Sequence, residues 1–278
     1  MIRPFLPRFF TLLSAAVLTA GCASCASGAR TDTEQRLAAL LPADAILLGE
    51  QHDAPDHQRV QREIVQALAA RDQLAALALE MAEQGVDTRD LPSDASEAQV
   101  RNALQWNEAA WPWHAYGPAV MAAVRAGVPV LGANLPRAQM RARMTDAQLD
   151  TLLPGPALKA QQQAIRLGHC GMLPESQITP MTRVQIARDL AMAQTLRAAA
   201  QPGRTVLLLA GRGHVDRSLG VPRHLPREFR VKSVEIGPDK APDAPDLIAN
   251  FDRSWPAAAG PDIDHCAQFQ LQRPQPAS

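Results

Sequence analysis

Two carboxylates and two histidines follow directly on an apolar run. Glu50, His52, Asp53 and His57 come after "AILLG" at Ala45–Gly49. Other apolar runs end in similar chemistry: Glu80 closes "ALALE", Asn134 follows "LGA", and "GRGH" brings His214 after "TVLLLA". Imidazoles and carboxylates in one crevice support two kinds of catalysis. His52 and His214 with Glu80 or Glu50 have the donor types for a divalent metal. Alternatively, His52 acts as a general base oriented by a carboxylate. There is no G-x-S-x-G elbow, so a hydrolase built from Glu50, His52, Glu80 and His214 would use an activated water. Several members also have structural readings. Asp53 is placed to cap a helix that starts at Pro55. His57 then falls in the first turn, where the helix dipole favours a neutral imidazole. Gly49, Gly211 and Gly213 suit tight turns.

These residues need a scaffold that brings distant strand ends together. Apolar runs at Ala45–Gly49, Ala75–Met81, Val128–Asn134, Thr205–Ala210 and Phe229–Ile236 read as strands, several of them continuous enough to be covered on both faces. Helical patterns intervene at Pro55–Ala70 and Tyr116–Ala126. The alternation predicts an α/β fold: a mostly parallel β-sheet flanked by helices, with a smaller helical subdomain at about residues 137–200. A short strand is expected near Leu247–Phe251. Residues 35–270 form a single domain and residues 271–278 a disordered tail. In open parallel sheets ligands bind beyond the carboxyl ends of the strands, where all the residues above fall.

Lys plus Arg equals Asp plus Glu, at 28 each, so no basic field points to nucleic acid. Arg3 and Arg8 precede an apolar stretch too short to span a bilayer, which reads as a signal peptide over residues 1–21. "LTAGC" places Cys22 at a lipoprotein box, with Thr19 where a large aliphatic is usual. The alternative is ordinary cleavage near Ala26 or Gly28. Residues 22–34 form a tether. The expected location is an exported protein, lipid-anchored in the outer membrane and facing the periplasm. Export permits disulfides, so Cys170 and Cys266 either pair or remain two buried thiols.

The stretch "LLGEQHDAPDHQRVQ" resembles the amino-terminal signature of the ChaN family of haem-binding lipoproteins. "LALEM", "WPWHAYGP", "GANLPR", "HCGMLP", "QIARDLAMAQTL" and "AGRGHVDRSLGVP" match further blocks in order. The wider group includes TraB, TIKI and erythromycin-esterase-like proteins. It shares paired G-x-x-H motifs and a glutamate, here Gly49–His52, Gly211–His214 and Glu80. The resemblance implies haem as cofactor, a role in iron acquisition beside an outer-membrane haem receptor, and a homodimer that sandwiches haem. It also implies a tyrosine ligand to the iron, for which Tyr116 is the only candidate. A tyrosinate is a hard anionic donor suited to ferric iron. The implied cofactor-binding set is Tyr116, His52, His57, His169 and His214. With few lysines beyond Lys159, Arg166 or Arg183 would serve the propionates.

Overall fold

The computed structural model describes residues 32–237 and 250–267. Cys22, the leader, most of the tether and the tail at 271–278 lie outside the described residues. After a short helix α1 (Asp32–Ala38), the chain enters β1 (Ala45–Glu50), all six residues of which are buried. The other strands are β2 (Leu74–Glu83), β3 (Val130–Asn134), β4 (Thr205–Gly211), β5 (Val231–Gly237) and β6 (Arg253–Pro256). They form one all-parallel sheet in the order β3-β2-β4-β1-β5-β6.

Alternation along each strand sorts side chains to two faces. Ile46, Leu48, Leu77, Leu79, Leu207 and Leu209 face α2 (Pro55–Ala69) and α4 (Trp113–Arg125), where they meet Ile64, Leu68 and Val120. Leu47, Ala78 and Leu208 face α7 (Glu175–Ala199) and pack on Met192 and Leu196. Burying a leucine of this kind contributes roughly 1.5–3 kcal/mol, so the two clusters set the sheet firmly between its helical layers.

The segment expected as a helical subdomain holds α5 (Arg137–Thr145), α6 (Gly155–Gly168) and α7. A satellite core of Leu135, Leu149, Leu153, Ile186, Ala187 and Ala191 binds its first part together. The second half of α7 belongs to the sheet instead, since its apolar residues continue into the cluster around Leu208. Helix α3 (Glu97–Ala103) is opened by a capping box between Ser96 and Gln99.

Two local expectations change, and one falls largely outside the described residues. The last described strand is Arg253–Pro256. Of the strand expected at Leu247–Phe251, residues 247–249 lie outside the described chain, and Phe251 is a core residue. Asp252 accepts from the Ser233 amide just before the β5–β6 ladder begins. The third strand starts at Val130, after Pro129, which has no amide to give a ladder. Asp53 does not cap α2. The N-cap is Ala54, with no side-chain bond, and the Asp53 carboxylate reaches His265 at 2.9 Å instead. Cys170 and Cys266 form a disulfide, which ties the chain's final described residues to the end of α6. Among the described residues no helix is long and apolar enough to cross a membrane.

Candidate functional site

Glu50 and Gly211 are register partners at the carboxyl ends of β1 and β4, so the two G-x-x-H motifs begin side by side. In both, the glycine's role is close approach rather than an unusual backbone angle. A side chain on Gly49 would run into Val215 and the Arg212 backbone. One on Gly211 would sit 2.8 Å from His52 Nε2.

Glu50 continues the face of Ile46 and Leu48, so its carboxylate enters the layer between β1 and the α2–α4 pair. It is 2% exposed yet fully bonded. Oε1 accepts from the Tyr116 hydroxyl at 2.7 Å and lies 2.8 Å from His52 Nδ1. Oε2 accepts from the Gln61 and Gln58 amides at 2.8 and 3.2 Å. Glu80 faces the opposite side of the sheet. Its Oε2 accepts from the Gly211 amide at 2.7 Å and lies 3.8 Å from His52 Nε2. Its Oε1 is 3.2 Å from His214 Nε2, while His214 Nδ1 lies 2.6 Å from Asp189 Oδ1 on α7. A continuous line therefore runs through the sheet edge: Asp189, His214, Glu80, His52, Glu50, Tyr116. Carboxylates and imidazoles alternate along it, ending in a phenol.

The electrostatics follow from that alternation. Burial alone would lower His214, but Glu80 and Asp189 on either side raise it to about 10. Burial opposes ionisation of Glu80 as well, yet His214, His52 and the Gly211 amide hold it below the usual carboxylate range. Asp189 is pushed up to about 6, because burial outweighs its bond to His214. His52 rests above its ordinary 6.5, since the Glu50 hydrogen bond and the nearby carboxylates overcome desolvation. Tyr116 is driven far above the usual phenol value by burial and by the Glu50 carboxylate it donates to.

Two cavities open around His52, whose side chain is 39% exposed. They share His52, Ala110 and Trp111. Trp111 meets the His52 ring edge-on, with centroids 4.8 Å apart, and is held by the Trp106 indole, which donates to its carbonyl at 2.8 Å. One cavity, of 660 Å³, is mostly apolar. Pro55, Trp111, Pro112, Ala115 and Pro118 contribute walls, and Arg59, Arg62 and His114 add cationic or imidazole groups. The other, of 560 Å³, lies beyond the ends of β2 and β3 and is more polar. It is lined by Glu80, Glu83, Asn134, Arg137 and Arg188 among others.

The structure brings Glu50, His52, Glu80, His214 and Tyr116 into one network and separates them from two expected members. His57 is 1% exposed, accepts from the Gln51 amide at 3.0 Å through Nδ1 and lines neither cavity. Burial lowers its pKa, in keeping with a neutral ring in the first turn of α2. His169 caps the end of α6, with Nδ1 2.8 Å from the Ile165 carbonyl. The arginines expected at the propionates are engaged elsewhere. Arg166 binds Glu175 and Arg183 grips Asp150 with two bonds. Neither they nor Lys159 line the two cavities.

Sequence reasoning missed Asp189, Gln58, Gln61 and Trp111. Gln58 and Gln61 stand one turn apart on α2, a spacing that marks a shared face once Glu50 is known to point there. Asp189 lies within the matched block "QIARDLAMAQTL", where nothing sets it apart from an ordinary helical carboxylate. The divalent-metal expectation for His52, His214 and Glu80 meets a geometric obstacle. Both ring nitrogens of His214 are turned onto carboxylates, so it bridges Glu80 and Asp189 as a cation. No group of three or more metal-type side chains gathers among the described residues. His52 with Glu50 has the form of a base held by a carboxylate. Its raised pKa leaves it more protonated at neutral pH than a free imidazole, which weakens it in that role.

A family model described as haem-binding uptake, Tiki superfamily, ChaN, matches residues 36–225. The chain belongs to the ChaN family. Among solved structures, it is similar to ChaN of Campylobacter jejuni, described by its cofacial haem binding. The identity is 25% and the TM-score 0.62, over 75% of this chain and 87% of that one. An erythromycin esterase in its open conformation aligns at 15% identity and TM-score 0.45, over 78% of this chain and 77% of that one. The type III effector HopBA1 aligns at 18% identity and TM-score 0.43, over 74% and 82%. No curated protein matches the sequence at a significant level. The six-stranded parallel sheet is thus that of a ChaN-family protein.

The residues can be tested against haem as the family's ligand. Tyr116 lines the apolar cavity, but its hydroxyl is engaged rather than free to serve as an iron ligand. It is 1% exposed, its proton is committed to Glu50, and both burial and that carboxylate oppose the phenolate an iron ligand must be. The apolar cavity fits better. Its largely apolar lining, with Trp111 and three prolines, suits a macrocycle, and Arg62 stands exposed within it. His114, also exposed there, makes no hydrogen bond among the described residues, so its ring nitrogens are open to a metal.

Proposed function

We propose that the protein is an exported, lipid-anchored haem-binding protein that serves iron acquisition at the outer membrane. In this reading haem occupies the apolar cavity beside Trp111, and its iron is taken by His114 rather than by Tyr116. The observation that carries the reading is the cavity itself: apolar walls, an exposed imidazole and cationic side chains in one concave site of 660 Å³. Bound haem supplies the redox-active iron. The chain's part is to exclude water with Pro112, Pro118 and Trp111, and to meet the propionates with Arg59 and Arg62. Arg62 has no ion pair among the described residues, whereas Arg59 must give up Asp56 or Glu63 to take part. A second copy closing over the open cavity accounts for a haem-linked homodimer, and an outer-membrane haem receptor is the expected delivery partner. The Cys170–Cys266 disulfide supports export, because such bonds persist in oxidising compartments. The box at Cys22 supports a lipid anchor.

Hemin titration of the purified protein tests this reading. A saturable Soret band is expected, with a rise in mass from monomer towards dimer. His114→Ala weakens binding at least tenfold and Tyr116→Phe leaves it within about twofold, where tenfold is about 1.4 kcal/mol of binding free energy. Loss of the band in Tyr116→Phe with full retention in His114→Ala would return the iron to the tyrosine.

A further inference from the structure

The polar cavity beyond β2 and β3 is not used by the haem reading, and one of its atoms lacks a partner. Arg188, on α7 next to Asp189, lines this cavity, and its Nε is buried with no hydrogen-bond partner among the described residues. A guanidinium is always charged and its N–H groups are obligatory donors; Arg188 makes no hydrogen bond or ion pair among the described residues, so a cationic fork without an acceptor stands in the wall of this cavity. A second guanidinium, Arg137 at the start of α5, lines the same space and makes no ion pair or hydrogen bond among the described residues. By contrast Arg183, five residues before Arg188 on the same helix, is fully committed to Asp150.

The other lining groups narrow the ligand's chemistry. Glu80 and Glu83 also face the cavity and repel a dianion such as phosphate. Glu80 is itself occupied by His214 and the Gly211 amide. Met81, Leu104, Leu135 and Met140 give part of the wall an apolar character. We infer that this cavity is a second ligand site, which binds a singly charged carboxylate on an apolar body through Arg188 and Arg137. The planar fork of a guanidinium matches a carboxylate in two-point contact, and the aliphatic wall takes the body. The carboxylate has two sources: a free organic acid, or one propionate of haem that reaches past Trp111 while the other stays with Arg59 and Arg62. The free-acid site stands without the haem reading.

The test uses octanoate as probe and inorganic phosphate as control, read by the protein's tryptophan fluorescence, to which Trp111 in the cavity wall contributes. Octanoate is expected to give a saturable change, weakened at least tenfold in Arg188→Gln and in Arg137→Gln, while phosphate gives none. Arg137 is exposed, so its variant keeps the test decisive if Arg188→Gln fails to fold. Absence of octanoate binding overturns the inference. So does phosphate binding of equal strength, or octanoate binding unchanged in both variants. Hemin and its dimethyl ester then assign the source. An ester that binds as weakly as hemin binds Arg188→Gln identifies the propionate. Hemin and octanoate that bind together without competition identify a free acid. A protein that takes octanoate but not hemin refutes the haem proposal alone.

Discussion

His214 is the residue on which the buried network balances. It sits between two carboxylates that would otherwise face each other in a water-poor interior, and its charge is what makes both tolerable. His214→Gln keeps polarity and much of the volume but removes the cation. A loss of about 3–5 kcal/mol in unfolding free energy is expected, as for breaking a buried ion pair. The wild-type pH profile has a definite sign. With a folded value of about 10 against an unfolded 6.5, the stabilisation from His214 is fully present below pH 6.5 and drains away as pH rises through 10. Denaturant titrations across that window should show wild-type stability falling and the His214→Gln curve flatter. Equal slopes would mean that His214 is not a buried cation. Tyr116 shows the same logic from the other end. Its phenol is a donor fixed on Glu50, so its proton is structural.

At the scale of elements, the ends of β1 and β4 decide where His52 stands. The turn after β1 brings His52 back over the end of β4, and only a bare Cα at Gly211 leaves room for the ring. Gly211→Ala should displace the His52 imidazole and lower stability by about 1–3 kcal/mol, the usual penalty for overpacking. The imidazole proton resonances of His52 and the thermal midpoint report the two effects. Gly213→Ala is the control, since nothing lies within 4 Å of its added carbon. If both variants behave alike, the close approach at Gly211 is not what positions His52. Helix α7 has two roles at once. Its first half closes the satellite core, and its second half covers the sheet while carrying Asp189 and Arg188 to the site.

Across the whole molecule, the carboxyl-terminal segment is a strap rather than an appendage. It adds β6 to the sheet edge, places Trp255 in the main core, bonds Asp56 through the Ala258 amide and Asp53 through His265, and ends in the disulfide to Cys170. The bridge joins residues 96 apart. Closing a loop of that size restricts the unfolded chain, so Cys266→Ser should cost about 2–5 kcal/mol and lower the thermal midpoint. Reduction of the wild type should reproduce the shift, and reduction of the variant should add nothing. A variant as stable as the wild type would leave the strap held by β6 and its polar contacts alone.

The sequence by itself determined the sheet and its family. Short continuous apolar runs such as "TVLLLA", bounded by turn signals, read as strands covered on both faces, and the blocks around the two G-x-x-H motifs were local enough to read in line. It also located Glu50, His52, Glu80 and His214, because parallel strands deliver their final residues to one edge. Tertiary structure decided what those residues do. Whether an imidazole is a ligand, a base or a buried cation depends on the atoms facing both of its nitrogens. For His214 those are Asp189 and Glu80, respectively 25 and 134 residues away in the chain. Tyr116 was legible as the only tyrosine. That its proton belongs to Glu50 followed only from α4 packing over β1, because burial and a hydrogen-bond partner are properties of neighbours that the linear order does not carry.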